Sequence, residues 1–487
     1  MAPATPIRPD RRAILGAGGT AALRCLLPAL LAGRTRAHGS GPSLFGQHGL
    51  GQGYGPLGPR LDETTGLPLL HLPAKFRYLS FGWRGDPLIG GGVTPDAHDG
   101  MGVVARTPEG VVTLVRNHER RSSGVPFGPA ASRFDRRGRG GTTTLRFDAA
   151  GGRWLDAFAS LGGTSANCAG GPTPWGSWLT CEETLDGRGQ GFDQNHGWVF
   201  EVPASAPASA VPLTALGRFS HEALAVDPRT GFIYLTEDAR YASGLYRFRP
   251  RARLATYTLE AGGALEMLRV PGQDQADLQP ALPGQTFPVS WVPVAIPGLG
   301  PQNGVGPFGS FDGQTRACSG PFLQGFEGGG ARFRRLEGAW HDALTGRLYF
   351  VDTEGGLPAP DTGIPEGALW CYEPRSELLR CVFTSPAQSV LDSPDNVTVG
   401  PGGGLLVCED GDLEGTRLSG LGKNGELFVL ARNDVVLAGE INGLRGDFRG
   451  SEWCGACFDP SGHWLFVNLQ SPGITFAITG PWELGPL

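Results

Sequence analysis

The stretch "DPRTGFIYLTED", residues 227 to 238, carries the pattern that decides the fold. A turn rich in Asp, Pro and Gly comes first, a run of aromatic and aliphatic residues follows, and acids close it. Short apolar runs bounded by such turns are typical of β-strands. The same order recurs in "HDALTGRLYFVDTEGG" (341–356), "GPGGGLLVCEDG" (400–411) and "DPSGHWLFVNLQ" (459–470), and more weakly in "GVVTLVRNHE" (110–119) and "PWGSWLTCEE" (174–183).

The spacing of these segments predicts the architecture. Their closing acids, or the residues in the acids' place, fall at 119, 182, 237, 354, 409 and 470, so four of five intervals are 55 to 63 residues and the third is about twice as long. Such a period suits a four-stranded blade. We therefore predict an all-β, six-bladed β-propeller with an insertion between the third and fourth countable repeats. A seventh blade in that interval is the alternative, but residues 282–309 have the composition of an irregular loop.

The first 37 residues have the pattern of a twin-arginine signal peptide. Arg11 and Arg12 precede a weakly apolar run rich in Gly and Ala, and Arg24 interrupts that run. We expect export by the twin-arginine machinery to the periplasm or the extracellular space, without a stable membrane anchor. A lead-in segment (38–69) and a catalytic propeller domain (70–487) follow.

Removal of the signal makes the chain more acidic. Residues 1–37 hold six Arg and one Asp, so 41 basic and 47 acidic residues become 35 and 46, and the net charge moves from −6 to −11. This balance disfavours nucleic-acid binding and suits cations. Eight cysteines remain, of which Cys371 and Cys381 could form a cross-strand bridge, whereas Cys454 and Cys457 are interpreted as buried strand thiols.

Acids at several strand ends indicate a metal site. If equivalent strands point their acidic ends at a shared axis, the anions repel one another and need cations among them. Oxygen ligands without a histidine cluster favour calcium or ferric iron, and the Cys181 thiolate suits iron. Each motif also has a plainer interpretation: capped turns for the acidic strand ends, a core position for His221, and a surface ion pair for Arg335 with Glu337.

Nine motifs in order resemble the PhoX-type alkaline phosphatases from about residue 70 to 482. They are "RYLSFGWRGDPL", "TPDAHDGMGVV", "LVRNHE", "NCAGGPTPWGSWLTCEET", "GRFSHEALAVDPRTGFIYLTEDA", "SGLYRF", "RRLEGAW", "SPDNVTVGPGGGLLVCEDG" and "WLFVNLQSPGITFAITGPW". The resemblance implies a secreted, monomeric six-bladed propeller that hydrolyses phosphate esters. It also implies two ferric ions (Fe3+) and three calcium ions (Ca2+) around a bridging oxo group.

The resemblance also implies roles for single residues. Cys181 and Glu182 would be cluster ligands, with the Cys181 thiolate on iron. Glu222 and Glu337 would be bridging or iron-binding carboxylates, Arg335 would bind the substrate phosphate, and Arg335 and Glu337 are the predicted catalytic residues. The expected calcium ligands, or residues supporting them, are Asn117, Glu119, Glu237, Asp395, Asn396, Glu409 and Asp410. Glu183 is the doubtful member of its motif, Glu354 has a structural role as an equal alternative, and Gln470 leaves the sixth repeat without a charged ligand.

The predicted function is a secreted phosphatase for phosphate monoesters, used in phosphate acquisition, with diesters as an open question. Two alternatives stand beside it. The first is a calcium-dependent lactonase or arylesterase propeller, which would need no thiolate, so iron content discriminates it. The second is a non-catalytic binding propeller stabilised by calcium, which would melt earlier on calcium removal but leave phosphate esters untouched.

Overall fold

Recurring turns and apolar runs produce a protein built almost entirely of short strands. The computed structural model describes residues 49–252, 254–303, 310–311, 314–315, 317–411 and 415–487, and these belong to the unit Ser43–Leu487. The predicted signal peptide and the start of the lead-in segment lie outside the described residues. Four strands precede the repeats: β1 (Gly49–Leu50), β2 (Leu57–Arg60), β3 (Leu70–Pro73) and β4 (Arg77–Phe81).

The first three blades follow one another along the chain. Blade one holds β5 (His98–Arg106), β6 (Val111–His118), β7 (Gly140–Asp148) and β8 (Arg153–Thr164). Blade two holds β9 (Asn167–Pro172), β10 (Ser177–Glu182) and β11 (Val199–Pro203). Blade three holds β12 (His221–Val226), β13 (Ile233–Glu237), β14 (Leu245–Pro250) and β15 (Gly263–Arg269).

The predicted insertion lies between blades three and four. It contains β16 (Thr286–Pro288), β17 (Ser290–Pro293), β18 (Gln302–Asn303), β19 (Ser310–Phe311), β20 (Gln314–Thr315), β21 (Ala317–Cys318) and α1 (Gly320–Glu327). Our expectation of an irregular loop over 282–309 was wrong in part, because β17 pairs with β15 and extends blade three. The helix begins at Ser319, whose side chain accepts a hydrogen bond from the backbone N–H of Phe322 at 3.1 Å.

Three further blades complete the ring. Blade four holds β22 (Leu336–His341), β23 (Leu348–Asp352), β24 (Ala368–Glu373) and β25 (Leu378–Thr384), with β16 on its outer edge. Blade five holds β26 (Pro394–Val399), β27 (Leu405–Glu409), β28 (Arg417–Leu421) and β29 (Glu426–Asn433). A hairpin of β30 (Val436–Ala438) and β31 (Arg445–Asp447) precedes blade six, which holds β32 (Trp453–Phe458), β33 (Trp464–Leu469) and β34 (Ile474–Thr479).

Strands from the start of the chain close the propeller. β4 pairs antiparallel with β34 and becomes the outermost strand of blade six, while β1 and β3 pair with β29 at the edge of blade five. Over the described residues the fold is thus a six-bladed propeller with an insertion between the third and fourth repeats, which confirms the prediction. No helix among these residues is both long and apolar enough to cross a bilayer.

The core lies between neighbouring blades. Leu114 of blade one packs with Phe466 of blade six, and Leu224 of blade three packs with Leu179 of blade two. Each fully buried aliphatic or aromatic side chain contributes about 1.5–3 kcal/mol. Cys371 and Cys381 belong to two different core clusters and are free thiols, so the cross-strand bridge considered for them does not form.

Candidate metal centre and active site

The same irregularity recurs at one end of five blades. There the first residue of the innermost strand pairs with the last residue of the next strand, and a β-bulge follows at once. A bulge inserts an extra residue and redirects the side chains beside it. The five pairs are His98–His118, Asn167–Glu182, His221–Glu237, Leu336–Asp352 and Pro394–Glu409.

The residues after these pairs gather into one cluster. On the innermost strands they are Asp99, Cys168, Glu222, Glu337 and Asp395, and after the second strands they are Glu119, Glu183, Asp238, Thr353 and Asp410. In blade six the bulge falls one residue later, after the pair Cys454–Asn468, so Gly455 takes the corresponding position and offers no side chain. Glu452, just before that blade, repels Asp410 and Asp395 electrostatically and belongs to the same acidic region.

Three adjoining groups within the cluster have the spacing of metal ligands. They are Asp99, Glu119 and Cys168; Cys168, Glu183 and Glu222; and Glu222, Glu337 and Asp395. In each group the three ligand atoms lie within 4.8 Å of one another. Because Cys168 belongs to the first two groups and Glu222 to the last two, each can bridge neighbouring cations.

Glu222 gives the strongest indication of a cation-binding site. Its side chain is fully buried, and neither carboxylate oxygen has a hydrogen-bond partner among the described residues. Burial raises the pKa of Glu222 well above its ordinary value, and the neighbouring Glu337 and Asp395 raise it further. A buried carboxylate without a partner is costly, and a metal ion would supply the partner.

Four other acids of the cluster also have a raised pKa. Burial raises the pKa of Asp99, Glu183 and Glu337, and repulsion from neighbouring carboxylates adds to the rise. Burial also raises the pKa of Asp395 to about 7. Counting Glu119, Glu222, Asp238, Asp410 and Glu452 as well, nine ionised carboxylates would face two guanidinium groups, leaving an excess of seven negative charges. Cations fit this donor set.

Two arginines reach into the cluster. Arg335 donates from Nε and Nη2 to the two carboxylate oxygens of Asp238, at 2.9 and 2.7 Å, and its Nη2 lies 2.8 Å from Glu337 Oε1. Burial alone would raise the pKa of Asp238, but Arg335, together with Glu183 and Arg121, outweighs it and lowers that pKa. Arg121, which the sequence analysis missed, pairs with both Glu119 and Glu183.

The structure does not bring Cys181 or Glu182 to the cluster. Cys181 packs among Leu179, Val199 and other apolar side chains, where burial raises the pKa of its thiol. Glu182 accepts hydrogen bonds from the backbone N–H groups of Ser165, Gly197 and Trp198 and contacts His196 Nδ1 at 2.6 Å. Successive strand residues face opposite ways, so the residue beyond the last pair, Glu183, takes the position expected for Glu182.

Two amides support the cluster from outside. Asn117 donates to the carbonyl oxygens of Cys168 and Ala169, at 2.9 and 2.7 Å, and its Oδ1 accepts from Trp178 and Thr180. Its hydrogen-bonding capacity is therefore used in holding the strand that carries Cys168. Asn396 donates to Asp395 Oδ1 at 2.5 Å and orients that carboxylate.

Three predicted or considered acids lie one position away from the cluster. Glu237 accepts from the hydroxyl of Tyr246, and burial raises its pKa to about 8. Glu409 accepts from Arg417 Nε at 2.8 Å and from Ser419 Oγ at 2.9 Å. Glu354 pairs with Arg240 and Arg334, which is the structural role left open for it.

Of the predicted site residues, the structure therefore gathers Glu119, Glu222, Arg335, Glu337, Asp395 and Asp410. The residues that sequence analysis missed are Asp99, Arg121, Cys168, Glu183, Asp238 and Glu452. Asp99 and Cys168 stand inside the quoted motifs "AHDGM" and "NCAGG". Each precedes small residues where an innermost strand begins, and that shared position was the available signal.

Comparisons with known proteins identify the family and support the fold. The family model described as alkaline phosphatase PhoX matches residues 52–156 and 127–473. Pseudomonas fluorescens PhoX, solved in complex with vanadate, a transition state analogue, is 18% identical with a TM-score of 0.62, covering 91% of this chain and 99% of that one. This likeness to a solved structure shows the fold.

Two other solved structures are less similar to this chain. Virginiamycin B lyase from Staphylococcus aureus is 12% identical with a TM-score of 0.33 and covers 83% of this chain and 99% of that one. A gluconolactonase from Xanthomonas campestris is 15% identical with a TM-score of 0.34 and covers 82% and 99%. No curated protein matches the sequence. Since the PhoX model spans most of its length, the chain belongs to the PhoX alkaline phosphatase family and is a phosphatase.

Proposed function

We propose that this phosphatase hydrolyses phosphate monoesters at a mixed iron and calcium cluster on the propeller axis. The observation that carries the proposal is Glu222, a fully buried carboxylate shared between two of the three ligand groups. Neither of its oxygens has a hydrogen-bond partner within the described ranges of the chain. A protein that needed these acids only for structure would supply them with hydrogen-bond donors, as it does for Glu182.

The donor atoms suggest how the metals divide. The two groups that share Cys168 offer a thiolate with carboxylates, which suits iron, and the group of Glu222, Glu337 and Asp395 offers only oxygens, which suits calcium. Burial raises the pKa of the Cys168 thiol, so metal binding would displace its proton. We retain the family composition of two ferric ions, three calcium ions and a bridging oxo group as part of the proposal.

When bound, the metals would supply positive charge at the phosphoryl oxygens and lower the pKa of water at the site. The protein itself contributes arginine side chains that are already held in place. The Arg335 guanidinium is held in a fixed orientation by Asp238 and Glu337, and its side chain remains 24% exposed. It can therefore donate to the nonbridging oxygens of the phosphate, where negative charge accumulates in the transition state. Glu337 acts as a positioning residue for Arg335 as well as a metal ligand.

Arg121 reaches the cluster from blade one and, like Arg335, acts electrostatically on Glu183 and Asp238. It bridges Glu119 and Glu183, and its side chain is 55% exposed. We therefore assign it a second contact with the phosphate. Neither arginine can serve as a nucleophile, which fits a reaction in which water attacks the phosphorus.

Export and partners are part of the same proposal. The pattern of residues 1–37 supports passage through the twin-arginine machinery, a route that carries folded proteins with their metals already bound. We propose a periplasmic or extracellular monomer that acts on small phosphate esters to acquire phosphate and does not bind nucleic acid specifically.

The test is hydrolysis of 4-nitrophenyl phosphate by the exported protein, measured before and after chelation and again after metals are returned. We expect activity to disappear with the metals and to return with them. Bis(4-nitrophenyl) phosphate, assayed in parallel, decides whether diesters are accepted. Hydrolysis of a lactone by protein that contains calcium but no iron, without phosphatase activity, would support the lactonase alternative instead.

A further inference from the structure

The connection between β6 and β7 is strongly basic, although the chain as a whole is acidic. Residues 119–139 contain six arginines and only two acids, whereas the net charge of the protein is −6. Both acids are already engaged: Glu119 belongs to the metal cluster, and Asp135 accepts from the backbone N–H groups of Arg137, Asp193 and Gln194. Because Glu119 opens this connection, its positive charge lies on the face of the propeller that holds the cluster.

Two arginines on this face share one carboxylate, and a third arginine, Arg139, belongs to the same connection as one of them. Arg120 Nε lies 2.8 Å from Asp96 Oδ1, and Arg84 Nε lies 4.0 Å from Asp96 Oδ2. Arg139 donates to Ser122 Oγ at 2.9 Å and forms no ion pair with a carboxylate in the described part of the chain. Arg139 and Arg84 are both close enough to repel Arg120 electrostatically, whereas Asp96 attracts it. The group therefore has more positive charge than its own acid neutralises.

Two arginines at the other end of the same blade each pair with one carboxylate. Arg153, the first residue of β8, pairs with Asp148, and Arg146 on β7 pairs with Asp156. The positive excess is thus local to the face of the cluster. Arg120 also stands between Glu119 and Arg121 in the chain, so it lies at the same end of blade one as the metal site.

We propose that Arg84, Arg120 and Arg139 form a second anion subsite, which binds another phosphate group of the substrate while the first is hydrolysed. Guanidinium groups suit this task because their planar N–H donors match phosphate oxygens. The subsite makes bisphosphorylated small molecules better substrates than matched monophosphates. This inference rests on the phosphatase activity proposed above.

The test compares fructose 1,6-bisphosphate with fructose 6-phosphate. For the metal-loaded wild-type protein, we expect the kcat/KM for fructose 1,6-bisphosphate divided by that for fructose 6-phosphate to be high. It should exceed the factor that arises merely because the bisphosphate offers two hydrolysable phosphates. In the variant Arg84→Gln/Arg139→Gln the ratio falls by about 5- to 10-fold, because two fixed charges next to the second phosphate are lost. High salt reduces the wild-type ratio in the same direction. Arg153→Gln, on the opposite face of the blade, is the control and keeps the wild-type ratio.

The remaining outcomes distinguish failure of the second anion subsite from failure of the proposed phosphatase function. If the double variant hydrolyses both sugars with the wild-type ratio, the subsite is refuted and the phosphatase proposal stands. An equal loss on both sugars also refutes it, since a free anion or a damaged cluster would affect both alike. The single variant Arg84→Gln repeats the comparison if the double variant melts early or loses metal. If the metal-loaded wild-type protein hydrolyses neither sugar nor 4-nitrophenyl phosphate, the proposed function itself fails.

Discussion

Replacement of Glu222 by Gln should have opposite effects on the metal-free and the metal-loaded protein. Glu222 is fully buried, and its two oxygens have no hydrogen-bond partner in the part of the chain that the structure describes. Because the pKa of Glu222 is raised in the folded protein, the folded carboxyl keeps its proton at pH values where the unfolded chain, with the ordinary pKa of 4.5, has released it. The contribution of Glu222 to the free energy of unfolding therefore falls as the pH rises. Glu222→Gln removes that penalty, and we expect the free energy of unfolding at pH 8 to rise by about 1–3 kcal/mol.

The metal-loaded protein should respond in the other direction. Glu222 is shared by two ligand groups, so its loss weakens two sites together. A tenfold weaker metal affinity at fixed metal concentration removes about 1.4 kcal/mol of stabilisation by mass action. The assay is thermal unfolding at pH 8, with chelator and with saturating iron and calcium. The melting temperature of Glu222→Gln should exceed that of the wild type with chelator and fall below it with metal.

Glu182→Gln is the matched control, since Glu182 is also buried but accepts four hydrogen bonds, three of them from backbone N–H groups. A neutral amide cannot accept all of them, so this variant should lose about 1–3 kcal/mol in both conditions. If Glu222→Gln destabilises the metal-free protein as Glu182→Gln does, the interpretation of Glu222 as a metal ligand is refuted.

Two further substitutions separate phosphate binding from structure. Arg335→Lys should weaken inhibition by inorganic phosphate by about 10-fold or more without changing the metal content, because an ammonium group cannot replace the two-pronged guanidinium. The control is Arg229→Lys, which alters a similar pairing with Asp227. Equal inhibition of the two variants by phosphate would contradict the role of Arg335. Glu237→Gln should raise the melting temperature at pH 8 but hardly change it at pH 5, because the folded carboxyl, with its pKa raised to about 8, retains a proton that the unfolded chain releases above about pH 4.5. Metal analysis should find the wild-type content in Glu237→Gln, and a loss of calcium would show that Glu237 is a ligand after all.

The sequence predicted the fold better than it predicted single ligands. The number of blades could be predicted because turns and apolar runs recur in the sequence with a period of roughly sixty residues. Ligand identity depends on which way one side chain points, and strand direction alternates at every residue. A shift of one position therefore separates Glu182, bonded inside its blade, from Glu183 at the cluster.

The bulges explain why this shift could not be read from the strands alone. Each one adds a residue to the innermost strand and interrupts the regular alternation where the acids lie. The thiol was misassigned for a related reason. Cys181 stands beside two acids in sequence, whereas Cys168 reaches its acidic neighbours only when blades one, two and three come together. A single sequence motif does not show which residues of neighbouring blades come into contact.

Iron content in two cysteine variants tests the central claim most directly. Cys168→Ser and Cys181→Ser remove one buried thiol each, but only Cys168 lies in the ligand groups. Elemental analysis of the exported proteins should find iron in the wild type and in Cys181→Ser, and a large loss of iron in Cys168→Ser. Retention of full iron content by Cys168→Ser, or its loss from Cys181→Ser alone, would contradict the assignment of the metal centre.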